Sequence, residues 1–178
     1  CTYAYRYAKL VNVRPGRIAV SKIQPGNAPF IDFDHIGVIV RDIEQAMDYY
    51  TRLGVVGEWR RWGPAFTEVR EYGELVDGST YKPEVRLSDM GNTTIELIQP
   101  GEPHSLWQKF LETNGEGVQH IAFLTDDIDR DEAIVVEKGV EVPWRCRWID
   151  GGGASYFQTQ EVGGMILELI QRPEKVLH

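Results

Sequence analysis

The sequence predicts an α+β fold in which two tandem βαβββ modules form a cup-shaped, eight-stranded mixed sheet. Three observations support this prediction. A four-residue motif occurs twice, each copy follows a triplet of His, Ile and a small residue, and apolar runs alternate with turn residues in the same order in both halves. With 178 residues in all, two copies of about 80 residues fit one compact unit better than two separate domains.

The internal repeat is defined by short motifs in matching order. The motif Glu-Leu-Ile-Gln occupies residues 96–99 and 168–171, and the triplets begin at His35 and His120. An Asp-Ile pair follows each histidine after seven and eight residues. From histidine to glutamate the first copy spans 61 residues and the second spans 48, so the first carries 13 more. Each copy therefore contributes one histidine and one glutamate at equivalent places.

The expected domain boundaries follow from the repeat. We expect an N-terminal arm (1–32), a single body (33–173) made of a first module (33–100), a linking helix (104–114) and a second module (117–173), and then a tail (174–178). Alternating tyrosines and Pro-Gly pairs in the arm indicate short strands. We expect the arm to pack on the body or on a second subunit.

The first module begins with an apolar, β-branched strand at residues 33–40. Asp42 is a suitable N-cap for the helix that follows, whose apolar stripe ends at Gly54. The next strands are predicted at residues 55–62, 84–89 and 92–99. Residues 64–83 are rich in glycine and charge and contain most of the additional length, which is typical of a lid, a binding loop or a mobile segment.

The second module repeats the order of the first. A linking helix at residues 105–113 precedes it and ends at Asn114-Gly115. The predicted elements of the second module are a strand at 118–124, a helix at about 127–138, and strands at 141–148, 154–160 and 165–171.

The histidines and glutamates of the repeat are candidate metal ligands. Alternate side chains of a strand face opposite sides, so Glu96 points away from its apolar neighbours Ile95 and Leu97. A carboxylate buried in such a strand needs a partner. A divalent metal would satisfy four donors together: His35, Glu96, His120 and Glu168. The alternative is that the histidines are satisfied core residues and the glutamates lie on a solvated face; the doubled pattern favours the metal.

These residues resemble the vicinal oxygen chelate superfamily, the group of glyoxalases, bleomycin-resistance proteins and extradiol dioxygenases. The likeness covers residues 33–173. In that superfamily, paired βαβββ modules build a cup, and the metal ligands come from the first and last strands of each module. The resemblance therefore implies one divalent metal ion, bound by His35, Glu96, His120 and Glu168.

Within the superfamily, residues 109–123 and 163–169 look most like the methylmalonyl-CoA epimerase family. Three features depart from that family. Gln119 stands where another histidine is common, residues 64–83 form a long insertion, and residues 157–160 lack the usual His-Pro. The departures leave the four ligands in place and bear on whether the substrate is a coenzyme A ester.

The ligand count discriminates between reactions. Two imidazoles and two carboxylates leave two adjacent octahedral positions for a substrate that chelates through two oxygens. Extradiol ring cleavage needs three open positions, and Glu96 would fill one of them. We therefore expect proton abstraction beside a carbonyl, with a metal-stabilised enolate. By similarity to glyoxalase I, Glu168 is the expected catalytic base; the candidates for a second acid or base are Glu58, Glu71 and Glu84.

The expected function is that of a metal-dependent isomerase or epimerase, or a lyase, acting on a small 2-oxo or acyl-thioester compound. Zinc, cobalt, nickel and manganese all accept this donor set. The alternatives are a lactoylglutathione lyase of the glyoxalase I type, a ring-cleaving dioxygenase, and a resistance protein that sequesters its ligand without catalysis.

Matching strands of the two modules carry Trp-Arg-Arg-Trp at residues 59–62 and Trp-Arg-Cys-Arg-Trp at residues 144–148. The arginines could hold an anionic group of the substrate while the tryptophans line the cup. The alternative is that the arginines pair with acidic residues outside the sheet and the tryptophans belong to the core. His104 and His178 are not expected to be ligands.

The composition excludes several partners. A net charge of −8 and a pI near 5.0 argue against nucleic acid and acidic membranes, and no run of 18 apolar residues exists to span a bilayer. Two cysteines, Cys1 and Cys146, form no disulfide framework and favour a reducing, cytoplasmic compartment. A start at Cys1 indicates a trimmed chain. We expect a homodimer that binds a small molecule, with the donors in one chain or shared between two.

Overall fold

The structure is a computed structural model that describes residues 29–63, 65–101 and 104–173. Its elements are β1 (Asp32–Ile39), α1 (Ile43–Leu53), β2 (Arg60–Trp62), β3 (Phe66–Glu71), β4 (Glu74–Val76), a 3-10 turn (Gly78–Thr80), β5 (Glu84–Met90), β6 (Thr93–Gln99), α2 (Leu106–Asn114), β7 (Gly117–Leu124), α3 (Ile128–Val136), β8 (Trp144–Trp148), β9 (Gly153–Phe157) and β10 (Ile166–Gln171). Most of the predicted arm and the whole tail lie outside the described residues. None of the helices described is long and apolar enough to cross a membrane.

The strands form one mixed sheet in the order β2-β5-β6-β1-β7-β10-β9-β8-β3-β4. The first and last strands of each module are parallel neighbours, β1 with β6 and β7 with β10. The two modules meet where β1 and β7 pair antiparallel in the middle of the sheet. The prediction of an α+β fold made of two βαβββ modules is therefore confirmed.

The sheet curls into a cup. Strands β2 and β8 are seven places apart in the sheet order, which would separate them by about 33 Å in a flat sheet with strands ~4.8 Å apart. Instead, the ring centroids of Trp62 on β2 and Trp148 on β8 lie only 5.4 Å apart. The concave side of the sheet consequently encloses a cavity.

Helices α1 and α3 cover the convex side, one in each module. Apolar residues of α1 pack on Leu97 of β6, and those of α3 pack on Leu169 of β10. Each leucine directly follows a glutamate of the repeat. Because alternate residues of a strand face opposite sides, Glu96 and Glu168 point into the cup.

The glutamine that ends each Glu-Leu-Ile-Gln motif binds the backbone at the start of the helix in its own module. Gln99 Oε1 accepts the backbone N–H of Ile43 at 2.9 Å, and Gln171 Oε1 accepts that of Ile128 at 3.0 Å. The aspartates that precede the two isoleucines cap the helices, as predicted for Asp42. These bonds satisfy N–H groups that have no partner inside a helix.

The structure has ten strands rather than the eight predicted. The difference lies in residues 64–83, where the expected loop contains the β3–β4 hairpin. Strand β3 pairs with β8, the outermost strand of the second module. This polar segment shows no strand pattern in sequence, and it becomes a strand because the open edge of β8 offers unpaired backbone groups. The first module thereby covers the edge of the second.

Other strands are shorter than predicted, and β2 covers only the last three residues of its expected range. Pro143 has no N–H to donate, so β8 begins at Trp144. The hydroxyl of Thr159 accepts the N–H of Leu167 at 2.9 Å. Because a side chain replaces the backbone carbonyl there, the ladder stops and β9 ends at Phe157.

A substitution in β3 tests whether the hairpin docks on the core. Val69 is 1% exposed and belongs to the main apolar cluster. Val69→Ala should therefore lower the free energy of unfolding by about 2 kcal/mol in urea titrations. Leu75→Ala, on β4 at 65% exposure, should change it by less than about 0.5 kcal/mol. Equal effects of the two substitutions would show that the hairpin is not docked.

Candidate metal centre

The structure brings the four predicted ligands together at the floor of the cup. Their donor atoms all lie within 4.8 Å of one another, and all four side chains are buried: His35, Glu96, His120 and Glu168. The His35 Nε2 atom lies 3.3 and 3.4 Å from the carboxylates of Glu96 and Glu168, and His120 Nε2 lies 3.3 and 3.1 Å from them. The two Nε2 atoms are 3.4 Å apart. All four side chains that could hold a metal ion thus belong to one chain.

This arrangement fits a divalent metal ion. A cation bound about 2.1 Å from each donor holds neighbouring octahedral donors about 3.0 Å apart. Glu168 Oε2 gives an independent indication, because it is buried and accepts no hydrogen bond from any group in the described ranges, although both imidazoles lie within 3.4 Å. A buried carboxylate oxygen in that situation is stabilised by a cation.

The β1–β7 pairing sets the order of the ligands across the sheet. Each histidine lies opposite the small residue of the other triplet, and that small residue is also the parallel neighbour of a glutamate. Two rows result: Glu96, Gly37 and His120 in one, and His35, Ala122 and Glu168 in the other. A glutamate from one module and a histidine from the other are separated only by a residue without a long side chain. Their side chains can therefore meet above it.

Position 37 requires glycine for a steric reason. A Cβ atom at this position would lie 1.9, 2.0 and 2.4 Å from three ring atoms of His120. The imidazole therefore lies directly over the backbone of the opposite strand. The small residue of the triplet is part of the site even though it donates no ligand.

Two β-bulges orient the imidazoles. Asp34 and Gln119, which directly precede the histidines, are the extra residues where the β1–β7 register shifts. A bulge re-aims side chains, so these two reach the histidines that follow them. His35 Nδ1 lies 2.8 Å from Asp34 Oδ2, and His120 Nδ1 lies 3.2 Å from Gln119 Oε1. Sequence reasoning missed both roles, although a side chain that can accept a hydrogen bond directly precedes each histidine in the sequence.

These contacts leave Nε2 as the free nitrogen of each ring. The Asp34 carboxylate only accepts, so Nδ1 of His35 carries the proton. Gln119 Nε2 donates to the Leu106 carbonyl at 3.3 Å, which turns its amide oxygen towards His120. When the rings are neutral, both Nε2 lone pairs therefore face the centre of the cluster, as in metal-binding histidines whose other nitrogen is held by an acceptor.

The cluster shifts the pKa values of its members. Burial alone would lower the pKa of both histidines, but the neighbouring carboxylates raise it, for His35 to well above its usual value. Burial alone would raise the pKa of Glu96 and Glu168, but the imidazoles lower both. Asp34 has a lowered pKa because His35 and Arg172 outweigh its burial. The carboxylates thus stay ionised, as metal ligands must be.

A cavity of about 450 Å³ lies above the two carboxylates. Glu96 and Glu168 line it, together with seven aromatic residues: Trp62, Phe66, Tyr81, Trp107, Trp144, Trp148 and Tyr156. Arg61 and Lys82 also line it, with exposed side chains at the mouth. This size is within the range of small-molecule sites. The cluster therefore lies at the floor of a small-molecule cavity.

Of the tryptophans in the repeated Trp-Arg motifs, Trp62, Trp144 and Trp148 contribute to this wall, whereas Trp59 packs with α1 on the convex side. The arginines of β8 do not line the cavity. Arg145 forms an ion pair with Glu132 at 2.5 Å, and Arg147 pairs with Asp129 at 2.6 Å. Both partners are on α3, on the convex side. These arginines thus follow the alternative prediction, in which they pair with acidic residues. Of the four arginines in the motifs, Arg61 lines the cavity.

The three glutamates considered as a second acid or base lie in different surroundings. Glu84 borders the cavity, Glu71 accepts a hydrogen bond from Tyr81, and Glu58 is exposed. Glu84 also pairs with Arg61. His104 is exposed, and His178 lies outside the described residues.

Tyr156 is a cavity residue that sequence reasoning missed. It pairs with Glu168 across β9 and β10, and its ring lies 5.0 Å from that of His120. Burial, Glu168 and Glu96 raise the pKa of Tyr156 well above its usual value, so its hydroxyl remains protonated.

Burial likewise raises the pKa of Cys146, another cavity residue, to about 12, which keeps that thiol unreactive.

The duplicated fold and its buried cluster of histidines and glutamates, which could hold a metal ion, are features of a protein of the glyoxalase type. The chain belongs to the Glyoxalase/Bleomycin resistance protein/Dioxygenase superfamily, whose family model matches residues 34–157. This confirms the resemblance found in the sequence.

Individual proteins resemble the chain in sequence or in fold. The chain is 27% identical over 140 residues to the uncharacterized protein YqjC of Bacillus subtilis (strain 168), covering 78% of this chain and 90% of that protein. Its fold is similar to methylmalonyl-CoA epimerase from Mycobacterium tuberculosis, with a TM-score of 0.59, 19% identity and coverage of 81% and 89%. A Streptomyces coelicolor methylmalonyl-CoA epimerase variant in complex with 2-nitronate-propionyl-CoA gives a TM-score of 0.55, 26% identity and coverage of 80% and 97%.

Gly37→Ala tests the packing of the centre. The added methyl group should displace the His120 ring and weaken divalent metal binding by about 10- to 100-fold in calorimetric titrations. Gly57→Ala is a suitable control, because a Cβ there meets no atom closer than 3.8 Å. A folded Gly37→Ala variant with unchanged metal affinity would contradict the proposed ligand set.

Proposed function

We propose that the protein is a divalent-metal-dependent isomerase that moves a proton on a carbon beside a carbonyl, in the manner of methylmalonyl-CoA epimerase. Its substrate is a small 2-oxo or acyl-thioester compound. The observation that carries the proposal is the buried cluster of two histidines and two glutamates at the floor of an apolar cavity. The similar solved structures of epimerases support the same reaction class.

Four side chains would hold the metal: His35, Glu96, His120 and Glu168. Zinc, cobalt, nickel and manganese all accept two imidazoles and two carboxylates. When bound, the metal supplies Lewis-acid stabilisation of the negative charge that develops on a substrate oxygen. Four protein donors also leave fewer open positions than ring cleavage with dioxygen requires. Proton transfer is therefore the favoured chemistry.

Glu168 is the proposed base. Its carboxylate lines the cavity, and a base must lie within reach of the proton that it takes. Glu168 is also one of the four side chains that would hold the metal, so its carboxylate would loosen from the metal before it takes the proton. The assignment also follows the similarity to glyoxalase I, in which the carboxylate of the last strand acts as the base.

The aromatic wall supports the same chemistry. Trp107, Trp144 and Tyr156 are each at most 4% exposed and surround the space above the carboxylates. Excluding water in this way strengthens electrostatic interactions with the developing charge. Arg61 and Lys82, at the mouth, are placed to attract an anionic substrate.

A lactoylglutathione lyase of the glyoxalase I type is the second candidate. It is favoured by features that separate this chain from the epimerase family while keeping the four donors. Gln119 is used to orient His120, and the inserted hairpin adds Phe66 to the cavity wall. The wall is therefore built differently from the one that the epimerase family pattern implies.

Deuterium exchange tests the proposed reaction. The zinc-loaded full chain is incubated with methylmalonyl-CoA in D₂O, and label at the carbon next to the thioester is followed by mass spectrometry. Exchange should be catalysed, and Glu168→Gln should slow it by at least about 100-fold, because the base is lost. Glu58→Gln, an exposed glutamate in the same chain, should leave the rate unchanged.

A parallel reaction separates the two candidates. The hemithioacetal of methylglyoxal and glutathione replaces the thioester under the same conditions. Turnover of this compound alone would identify the lyase and exclude the epimerase. Metal-loaded protein that exchanges neither substrate, or that consumes oxygen with a catechol, would contradict proton transfer as the function.

A further inference from the structure

We propose that the aromatic part of the cavity binds an uncharged hydrogen-bond acceptor of the ligand, such as a ketone, amide or thioester oxygen, through the indole N–H of Trp144, with Trp107 beside it. This inference goes beyond the proposed reaction. It concerns a part of the ligand that does not contact the four-residue centre, and it holds for either candidate function.

The first observation is a pair of unpartnered donors. Trp144 and Trp107 are 3% and 4% exposed, and both line the cavity. No group in the described part of the chain accepts a hydrogen bond from either indole N–H. Buried tryptophans normally find an acceptor, because an unpaired buried donor is costly. Two such donors in one cavity wall indicate that a ligand provides the acceptor, and because both nitrogens are themselves buried, the neighbouring rings would shift to admit it.

The second observation is the position of these donors relative to the centre. Ring centroids follow one another at 5.0 Å from His120 to Tyr156, 5.4 Å from Tyr156 to Trp144, and 5.0 Å from Trp144 to Trp107. A ligand with one end at the carboxylates can therefore extend along this wall to the indoles. Its apolar portion would contact aromatic faces on the way.

Trp144 is the stronger of the two donors. The indole of Trp107 is near enough to the Tyr156 hydroxyl to oppose the rise in the pKa of that tyrosine, but the two groups lack hydrogen-bond geometry. Two of the four rings that contact Trp144 are tyrosines, but neither hydroxyl accepts a hydrogen bond from its N–H: the rings are those of Phe66, Tyr81, Trp107 and Tyr156. Its N–H therefore has the greater need of an acceptor from the ligand.

The surroundings select an uncharged acceptor. The rings of Phe66 and Tyr81 lie 6.2 and 5.9 Å from that of Trp144, and the cations that line the cavity, Arg61 and Lys82, are exposed at the mouth. Placing a carboxylate or phosphate among neutral rings costs far more than placing a carbonyl there. A neutral oxygen is consequently the acceptor that fits.

Three small probes test this inference without any chelating group. Acetophenone offers a neutral acceptor, ethylbenzene has the same size without one, and benzoate carries a charge. The full chain has five tryptophans, so five indole N–H signals can be assigned by substitution and followed by ¹⁵N NMR. Acetophenone should bind about tenfold more tightly than ethylbenzene and should shift the Trp144 indole proton downfield. Benzoate should bind more weakly than acetophenone.

Substitution then isolates the donor. Trp144→Phe keeps an aromatic ring, removes the N–H, and should reduce acetophenone affinity to that of ethylbenzene. Trp148→Phe should preserve the preference, because Trp148 lines the same cavity but its indole is not a buried unpaired donor. Equal binding of acetophenone and ethylbenzene, tightest binding of benzoate, or an unmoved Trp144 signal in the wild-type protein would overturn the proposal. Because these probes do not chelate, the result is independent of whether the centre binds a metal.

Discussion

The antiparallel pairing of β1 with β7 is the constraint on which the site depends. It places each histidine across from the small residue of the other module, and the parallel pairings with β6 and β10 bring the glutamates to the same two rows. The register must be kept, because a shift of β7 by one residue against β1 would turn the ligands of one module to the convex face. The bulges at Asp34 and Gln119 preserve the register of the ligands while orienting both imidazoles.

The residues of the repeated Glu-Leu-Ile-Gln motif have separate structural roles. Glutamate faces the cavity, leucine packs beneath a helix, and glutamine caps the start of that helix. The centre and the convex core are therefore built by the same strands, so the ligands are held by elements that are themselves fixed by packing. Curvature then brings aromatic residues from distant strands together above the carboxylates, which leaves charge at the floor and neutral donors in the wall.

The sequence was sufficient to predict what depends on local pattern. Strand alternation gave the direction of Glu96, and the doubled motifs gave the four clustered side chains. What depends on long-range pairing was not predictable. The hairpin containing Val69 forms only because β8 has an open edge, and the direction of Arg145 depends on α3 supplying Glu132. The role of Gly37 likewise requires the β1–β7 register, which no local pattern specifies.

We propose that one chain binds one divalent cation through two imidazoles and two carboxylates. X-ray absorption at the zinc edge, on the full chain loaded with one equivalent of Zn²⁺, measures that donor set directly. We expect a shell of nitrogen and oxygen at about 2.0–2.2 Å with the scattering of two imidazoles and no sulfur. A sulfur shell near about 2.3 Å, or a hydrated ion without imidazole scattering, would contradict it.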